Sequence, residues 1–224
     1  MNEPISNLAA LFESPQKNLT QKAYDLLLDS LMKRQIPSGS VLQERRLAEM
    51  LEISRTPVRE ALNRLESEGF VTRKAGRVLV VTELSTRELI ETLHVRQILE
   101  SESIALACGR ITASELDAIE GAVRGILENA SPSAEADWEV DTQFHQGIAQ
   151  ASGNSVLSDL ISNLRRKTYM FNLHRVPERF ETGHREHLEI IDALRRHDRD
   201  AARAGIRTHI ENVKQSIIRK LSDI

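Results

Sequence analysis

The chain has 224 residues, a formal net charge of −3 and a composition that is 40% hydrophobic, 28% charged and 4% aromatic. This charge argues against a protein that is basic throughout, and no apolar run approaches the roughly 18 residues that cross a bilayer. Residues 1–16 lack the basic start and apolar stretch of a signal peptide, and the single cysteine, Cys108, cannot form an intrachain disulfide, which suits a reducing cytoplasm.

The first third of the chain predicts three helices followed by a β-hairpin. The first helix has an apolar stripe that contains Ala23, Leu26, Leu27 and Leu31, and the breaker IPSG follows it. Ser54 is the predicted N-cap of the third helix. The predicted elements are a flexible tail over 1–18, helices over 20–35, 44–51 and 55–67, and a hairpin with a basic tip over 70–81.

The rest of the chain is predicted to be helical throughout. Two capping boxes, Ser85–Glu88 and Thr112–Glu115, open the first two of these helices. The six predicted helices cover residues 85–109, 112–129, 134–152, 154–171, 180–197 and 198–221. The predicted fold class is mainly α, with a winged helix-turn-helix and its small β-hairpin wing over 19–83 and an all-α six-helix bundle over 84–224.

Two short helices, a tight turn and a hairpin are typical of a winged helix-turn-helix, whose second helix enters the major groove of DNA. Arg55, Thr56 and Arg59 lie on the outward face near the start of that helix, where Arg can bond guanine. Residues 17–83 carry 12 Lys and Arg against 9 Asp and Glu, whereas residues 84–224 carry 18 against 22. This asymmetry agrees with DNA binding at one end, although ordinary scatter of charge and solvated surface arginines would explain the same pattern.

A longer motif supports the DNA-binding interpretation. Residues 47–71 read LAEMLEISRTPVREALNRLESEGFV and resemble the hallmark of the GntR family of bacterial regulators, and the IPSGS loop at 36–40 resembles the family's loop before its second helix. Our hypothesis is a homodimer whose two recognition helices read a pseudo-palindromic operator in double-stranded DNA. The residues that the resemblance implies as DNA contacts are Arg45, Arg55, Thr56, Arg59 and, at the wing tip, Gly76.

Four metal-competent side chains are predicted to point into the bundle. Asp141 and His145 are four residues apart and share one side of a helix, while His187 and His209 each lie on an apolar stripe. A buried Asp is costly without a partner, so a divalent cation held by one Asp and three His is one interpretation. Hydrogen-bonded core histidines are the other. His184 could replace His187, and the remaining histidines are expected at the surface: His94, His174 and His197.

Arg96 is a further polar residue on an apolar stripe. Either it forms an i,i+4 ion pair with Glu100 at a helix edge, or it clamps the carboxylate of an effector with two hydrogen bonds. Arg165 could reach the same cavity.

Four segments of the second half resemble the FCD effector-binding domain of FadR-like regulators, and the count of six helices resembles the shorter, VanR-type branch. They are RQILE at 96–100, DTQFH at 141–145, EHLEI at 186–190 and THI at 208–210. The resemblance implies a divalent metal ion, with zinc favoured and nickel or manganese as alternatives. Its implied ligands are Asp141, His145, His187 and His209. The residue that we predict to bind the effector is Arg96, from its position on the apolar stripe.

The sequence therefore predicts a transcriptional regulator, with repression favoured, and not an enzyme. A small organic or sugar acid would bind the helical domain and shift the relative poses of the DNA-binding domains. The competing hypotheses are a metal-dependent enzyme and a regulator whose metal is structural or is itself the signal.

Overall fold

The polypeptide folds into two units that meet in sequence at Leu84 and Ser85. The computed structural model describes residues 15–170 and 179–222. None of the described helices is long and apolar enough to cross a membrane.

The N-terminal unit is a winged helix-turn-helix. Helix α3 packs against α1 and α2 through its buried face, which carries Val58, Ala61, Leu62 and Leu65. Its opposite face is exposed and carries Arg55, Thr56 and Arg59. The predicted helices and hairpin are confirmed. The elements are α1 (Pro15–Met32), β1 (Val41–Leu42), α2 (Glu44–Met50), α3 (Arg55–Ser67), β2 (Val71–Lys74) and β3 (Val78–Val81).

Three details of this unit differ from the prediction. Helix α1 begins at Pro15 rather than Thr20, because proline is tolerated in the first turn, where its missing N–H would have no helical partner. The predicted tail is therefore too long, and the part before Pro15 lies outside the described residues. Leu26 is 54% exposed instead of facing inward. Ser54 occupies the N-cap with extended backbone, but its side chain makes no capping hydrogen bond.

The small sheet contains one strand more than the predicted hairpin. β1 pairs antiparallel with β3, which gives the strand order β1-β3-β2. A two-residue strand carries too little alternation to be recognised in the sequence. At the wing tip, Ala75 and Gly76 have φ values of +50° and +73°. The register pairs Lys74 with Val78, so the wing loop has three residues, and glycine adopts a positive φ without the steric cost that a Cβ brings.

The second unit is an all-α bundle with six described helices, as predicted. Both predicted capping boxes are complete, and Asn154 and Asp198 cap the helices that follow them by accepting backbone N–H groups. A continuous aliphatic core joins α4, α5, α6, α8 and α9, so α6, α8 and α9 present their inner faces to the same space. The helices are α4 (Thr86–Ala107), α5 (Ala113–Glu128), α6 (Ala134–Ala151), α7 (Ser155–Met170), α8 (Phe180–Arg195) and α9 (Arg199–Ser222).

Candidate metal and effector site

Four metal-competent atoms from three helices converge inside the bundle. They belong to Asp141 and His145 of α6, His187 of α8 and His209 of α9, and they lie within 4.8 Å of one another. The Nε2 atoms of His187 and His209 are 3.3 Å apart, and Asp141 Oδ1 lies 3.5 Å from His145 Nε2 and 3.7 Å from His187 Nε2. Ligands of a single zinc-sized ion lie about 3 to 4 Å apart, so these three separations fit a divalent cation.

Carboxylates orient two of the three imidazoles. His145 Nδ1 donates a hydrogen bond to Glu100 Oε2, and His209 Nδ1 donates to Glu186 Oε2 at 2.8 Å. Because an ionised carboxylate can only accept, the Nδ1 atom of both rings carries a proton, and Nε2 is the nitrogen that remains for a metal ion. Each Nε2 faces the cluster, and carboxylates in this outer position typically fix metal-binding histidines.

His187 is held by packing rather than by a carboxylate. Its ring stacks on Phe144 with 3.9 Å between centroids, and its Nδ1 has no hydrogen-bond partner among the described residues. Burial holds the pKa of His187 well below its ordinary value, and a positive charge on the neighbouring His209 or His145 would lower that pKa further. Burial likewise lowers the pKa of His209. Both rings are thus neutral, which is the form that binds a metal ion.

Asp141 remains ionised in its partly buried position. Burial would raise its pKa, but the charge of Arg165 outweighs that effect and holds the pKa of Asp141 well below its ordinary value. Arg165 Nη2 donates to Asp141 Oδ2 at 2.7 Å. One carboxylate oxygen is therefore paired with the guanidinium, and the other is the oxygen that lies close to the imidazoles.

The cluster opens onto a cavity of about 490 Å³, a size within the range of small-molecule sites. Arg96 lines this cavity together with Arg165 and Arg179. Arg96 Nε donates to Glu100 Oε1 at 2.9 Å, and its Nη1 donates to Thr168 Oγ1 at 3.0 Å. The ion pair predicted for Arg96 is thus present, and it lies at the cavity rather than on a solvated helix edge.

Two carboxylates at the site were missed or only partly recognised in the sequence. Glu100 was considered as the partner of Arg96, but its bond to His145 depends on how α4 packs against α6. Glu186 was not singled out, although it directly precedes His187 in sequence. It accepts from His209, from Asn212 and from both terminal nitrogens of Arg179. Burial would raise its pKa, yet these hydrogen bonds lower the pKa of Glu186 to about 2.

His184 lies outside the cluster. Its Nε2 donates to Asp137 Oδ1 at 2.7 Å, so it does not replace His187, although both residues of this pair line the cavity. His94 and His197 are exposed as expected, and His174 lies outside the described residues.

The predicted DNA-contacting residues lie on exposed parts of the first unit. Arg55 and Arg59 both approach Glu44, with nitrogen–oxygen distances of 3.6 and 3.1 Å, and Arg45 pairs with Glu49 one turn further along α2. Gly76 lies at the wing tip, where an added Cβ would meet nothing within 4 Å. The three arginines therefore form solvent-exposed ion pairs. Such pairs are weak, so the arginines can exchange these carboxylates for other partners.

A winged helix-turn-helix followed by a helical domain with an internal cavity defines a DNA-binding regulator with a second, non-DNA-binding domain. Sequence comparison agrees with this class. Residues 19–81 match the gntR family of bacterial regulatory proteins, and residues 91–212 match the FCD domain. The chain belongs to the GntR family of transcriptional regulators and carries an FCD domain; the family is one of regulators rather than enzymes.

Proteins that are similar in sequence to this chain are themselves named as transcriptional regulators. The chain is 30% identical over 173 residues to the Nta operon transcriptional regulator of Aminobacter aminovorans, which covers 77% of this chain and 82% of the relative. It is 27% identical over 211 residues to the HTH-type transcriptional repressor RspR of Escherichia coli K12, with 91% of each chain covered. The fold is similar to that of E. coli McbR/YncC, with a TM-score of 0.79, 23% identity and coverage of 91% of this chain and 98% of that one.

Proposed function

We propose that this regulator is a repressor whose affinity for its operator is controlled by a small carboxylate bound in the helical domain. The observation that carries the proposal is the opening of the Asp141, His145, His187 and His209 cluster onto a cavity lined by three arginines. The relative named a repressor supports the sign of regulation. A DNA-binding protein of this kind would act in the bacterial cytoplasm.

The four converging side chains would hold a divalent cation, which would supply open coordination positions for a carboxylate oxygen. The three-imidazole, one-carboxylate set favours zinc, and nickel or manganese would also fit. Glu100 and Glu186 then act as positioning residues, because they fix the proton of His145 and of His209 on Nδ1.

The charges at the cavity make anion binding depend on that cation. Three arginines line the space, and each already has a carboxylate partner: Arg96 pairs with Glu100, Arg165 with Asp141 and Arg179 with Glu186. Asp137 also lines the cavity. Four carboxylates against three guanidinium groups give an excess negative charge, which a divalent cation reverses. We therefore propose that Arg96 contacts the effector only when the metal is bound.

We propose that Arg45, Arg55, Thr56, Arg59 and Gly76 contact the operator. The first four lie exposed on α2 and on the first turns of α3, where a recognition helix contacts base edges and phosphates. During binding, Arg55 and Arg59 would exchange Glu44 for DNA, since both ion pairs are solvent-exposed.

We propose that the regulator is a homodimer, since one recognition helix per chain reads one half of a pseudo-palindrome. Exposed apolar residues occur on α4 and α7, namely Val95, Ile98, Val156 and Leu160. Apolar side chains exposed on neighbouring helices are typical of protein–protein contacts.

Fluorescence anisotropy with the DNA upstream of its own gene tests the proposal. The metal-loaded protein should bind this DNA, and members of a panel of organic and sugar acids should release it. The same acids should fail to release it when His187→Ala protein is used. Release that is equal for wild type and for His187→Ala would contradict an effector site at the metal cluster.

A further inference from the structure

Aromatic side chains are rare in this chain, and half of those described surround one cavity. The sequence contains one Trp, two Tyr and five Phe among 224 residues. Of the six in the described regions, Tyr24, Phe70 and Phe144 are core residues that are at most 2% exposed. The other three are partly exposed and line the cavity. These three, Trp138, Tyr169 and Phe180, are called the aromatic wall below.

The aromatic wall adjoins the metal-competent cluster. The rings of Trp138 and Tyr169 have centroids 4.1 Å apart and are tilted by 33°. The guanidinium carbon of Arg165 lies 5.0 Å from the Trp138 ring centroid, and the same guanidinium is bonded to Asp141. Trp138 also precedes Asp141 by one helical turn, so both line the cavity from one face of α6. A molecule bound at Asp141 would therefore meet the aromatic wall.

Besides polar side chains such as Thr168 and Ser216, the cavity is lined by aliphatic ones, namely Leu93, Val213 and Ile217. Such surfaces favour a flat apolar body, since aromatic rings attract one another in stacked or edge-to-face arrangements beyond the benefit of burial alone. Hydroxyl groups of a polyhydroxylated acid would lack partners where they met these apolar side chains, which is unfavourable.

We infer that the effector is an aromatic carboxylic acid, with its carboxylate at the metal cluster and its ring against Trp138, Tyr169 and Phe180. This inference rests on the proposed effector site and narrows it from organic and sugar acids in general. Among the three rings, Trp138 lies one helical turn from Asp141 and 5.0 Å from the Arg165 guanidinium carbon, so it is the ring chosen for substitution.

The test uses the full-length, zinc-loaded protein and three probes: benzoate, cyclohexanecarboxylate and acetate. Because Trp138 is the sole tryptophan of the sequence, its fluorescence reports on the cavity alone. Benzoate should change the emission and bind about three- to tenfold more tightly than cyclohexanecarboxylate, as expected for one aromatic contact. Equal or weaker binding of benzoate would overturn the inference, as would tighter binding of gluconate in a parallel titration.

Two variants at Trp138 test the aromatic wall while leaving the four metal-competent residues unchanged. By calorimetry, Trp138→Leu should bind benzoate with a smaller preference over cyclohexanecarboxylate, whereas Trp138→Phe should keep the preference, and both variants should retain zinc. An unchanged preference in Trp138→Leu would overturn the inference. If carboxylates bind without aromatic preference, the inference alone fails; if no carboxylate binds the zinc-loaded protein, the proposed function fails as well.

Discussion

The Nε2 atoms of His187 and His209 lie 3.3 Å apart, although their rings are carried by different helices and are buried. His209 has its proton on Nδ1, where Glu186 accepts it, so its Nε2 presents a lone pair to His187. One of these nitrogens can donate a hydrogen bond to the other, and with Asp141 3.7 Å from His187 Nε2 they belong to the cluster that we propose as a metal site. The first predictions follow from this contact.

Replacing a ligand should abolish metal binding, whereas replacing the adjacent histidine should not. His187→Ala removes one of the four converging atoms, and we expect the purified protein to lose its divalent metal in elemental analysis. His184→Ala is the matched control, because His184 lies one turn away on the same helix but bonds to Asp137 instead. Loss of metal from both variants, or from neither, would contradict the assignment.

Neutralising an outer carboxylate should weaken the site without removing a ligand. Glu186→Gln replaces the acceptor of the His209 proton, and we expect the affinity for zinc to fall about 10- to 100-fold. Competition with a chromogenic chelator measures this change. Glu189→Gln on the exposed side of α8 carries the same substitution and should leave the affinity unchanged.

Removing the metal should lower the thermal stability of the wild-type protein. A ligand present at 100 times its dissociation constant stabilises the native state by about 2.7 kcal/mol, and removal also leaves the buried imidazoles without their shared partner. Scanning fluorimetry with and without EDTA measures the shift. His187→Ala protein should melt at the same temperature in both conditions, and a chelator effect that persists in this variant would point to metal bound elsewhere.

The packing of α8 against α9, which brings His187 to His209, depends on Gly205. An added Cβ at this position would lie 2.8 Å from Ile190 Cγ1. Overpacking of this kind costs about 1 to 3 kcal/mol, which exceeds the roughly 1 kcal/mol that Ala gains over Gly in a helix. We expect Gly205→Ala to lower the free energy of unfolding in urea. Gly121→Ala has open space around its Cβ and should raise it instead.

The exposed arginines of α3 should contribute to DNA affinity through phosphate or guanine contacts. Arg59→Ala should weaken operator binding and reduce the slope of log affinity against log salt by about one. Anisotropy titrations at several salt concentrations measure both quantities. Arg87→Ala removes an equally charged, exposed residue of the second unit and should change neither; equal effects of the two substitutions would mean that only net charge matters.

Much of the fold was predictable because its signals are local. Each capping box is a motif of four consecutive residues that marks where its helix begins. The helical spacing of Asp141 and His145 likewise puts them on one side of α6. The strand Val41–Leu42 escaped prediction because it exists only through its pairing with β3. The inward direction of His187 and His209 followed from their apolar neighbours, but the distance between them did not.

The sequence by itself determined the GntR-type DNA-binding segment, the helical second domain and the identity of four metal-competent residues. Only the tertiary structure decided that Glu100 and Glu186 orient His145 and His209, that His184 pairs with Asp137, and that three aromatic rings line the cavity beside the cluster. The physical reason is that helix periodicity gives the direction of a side chain relative to its own axis, whereas contacts between side chains depend on how separate helices pack. The residues that make these contacts are far apart in the sequence, so the contacts leave no local pattern.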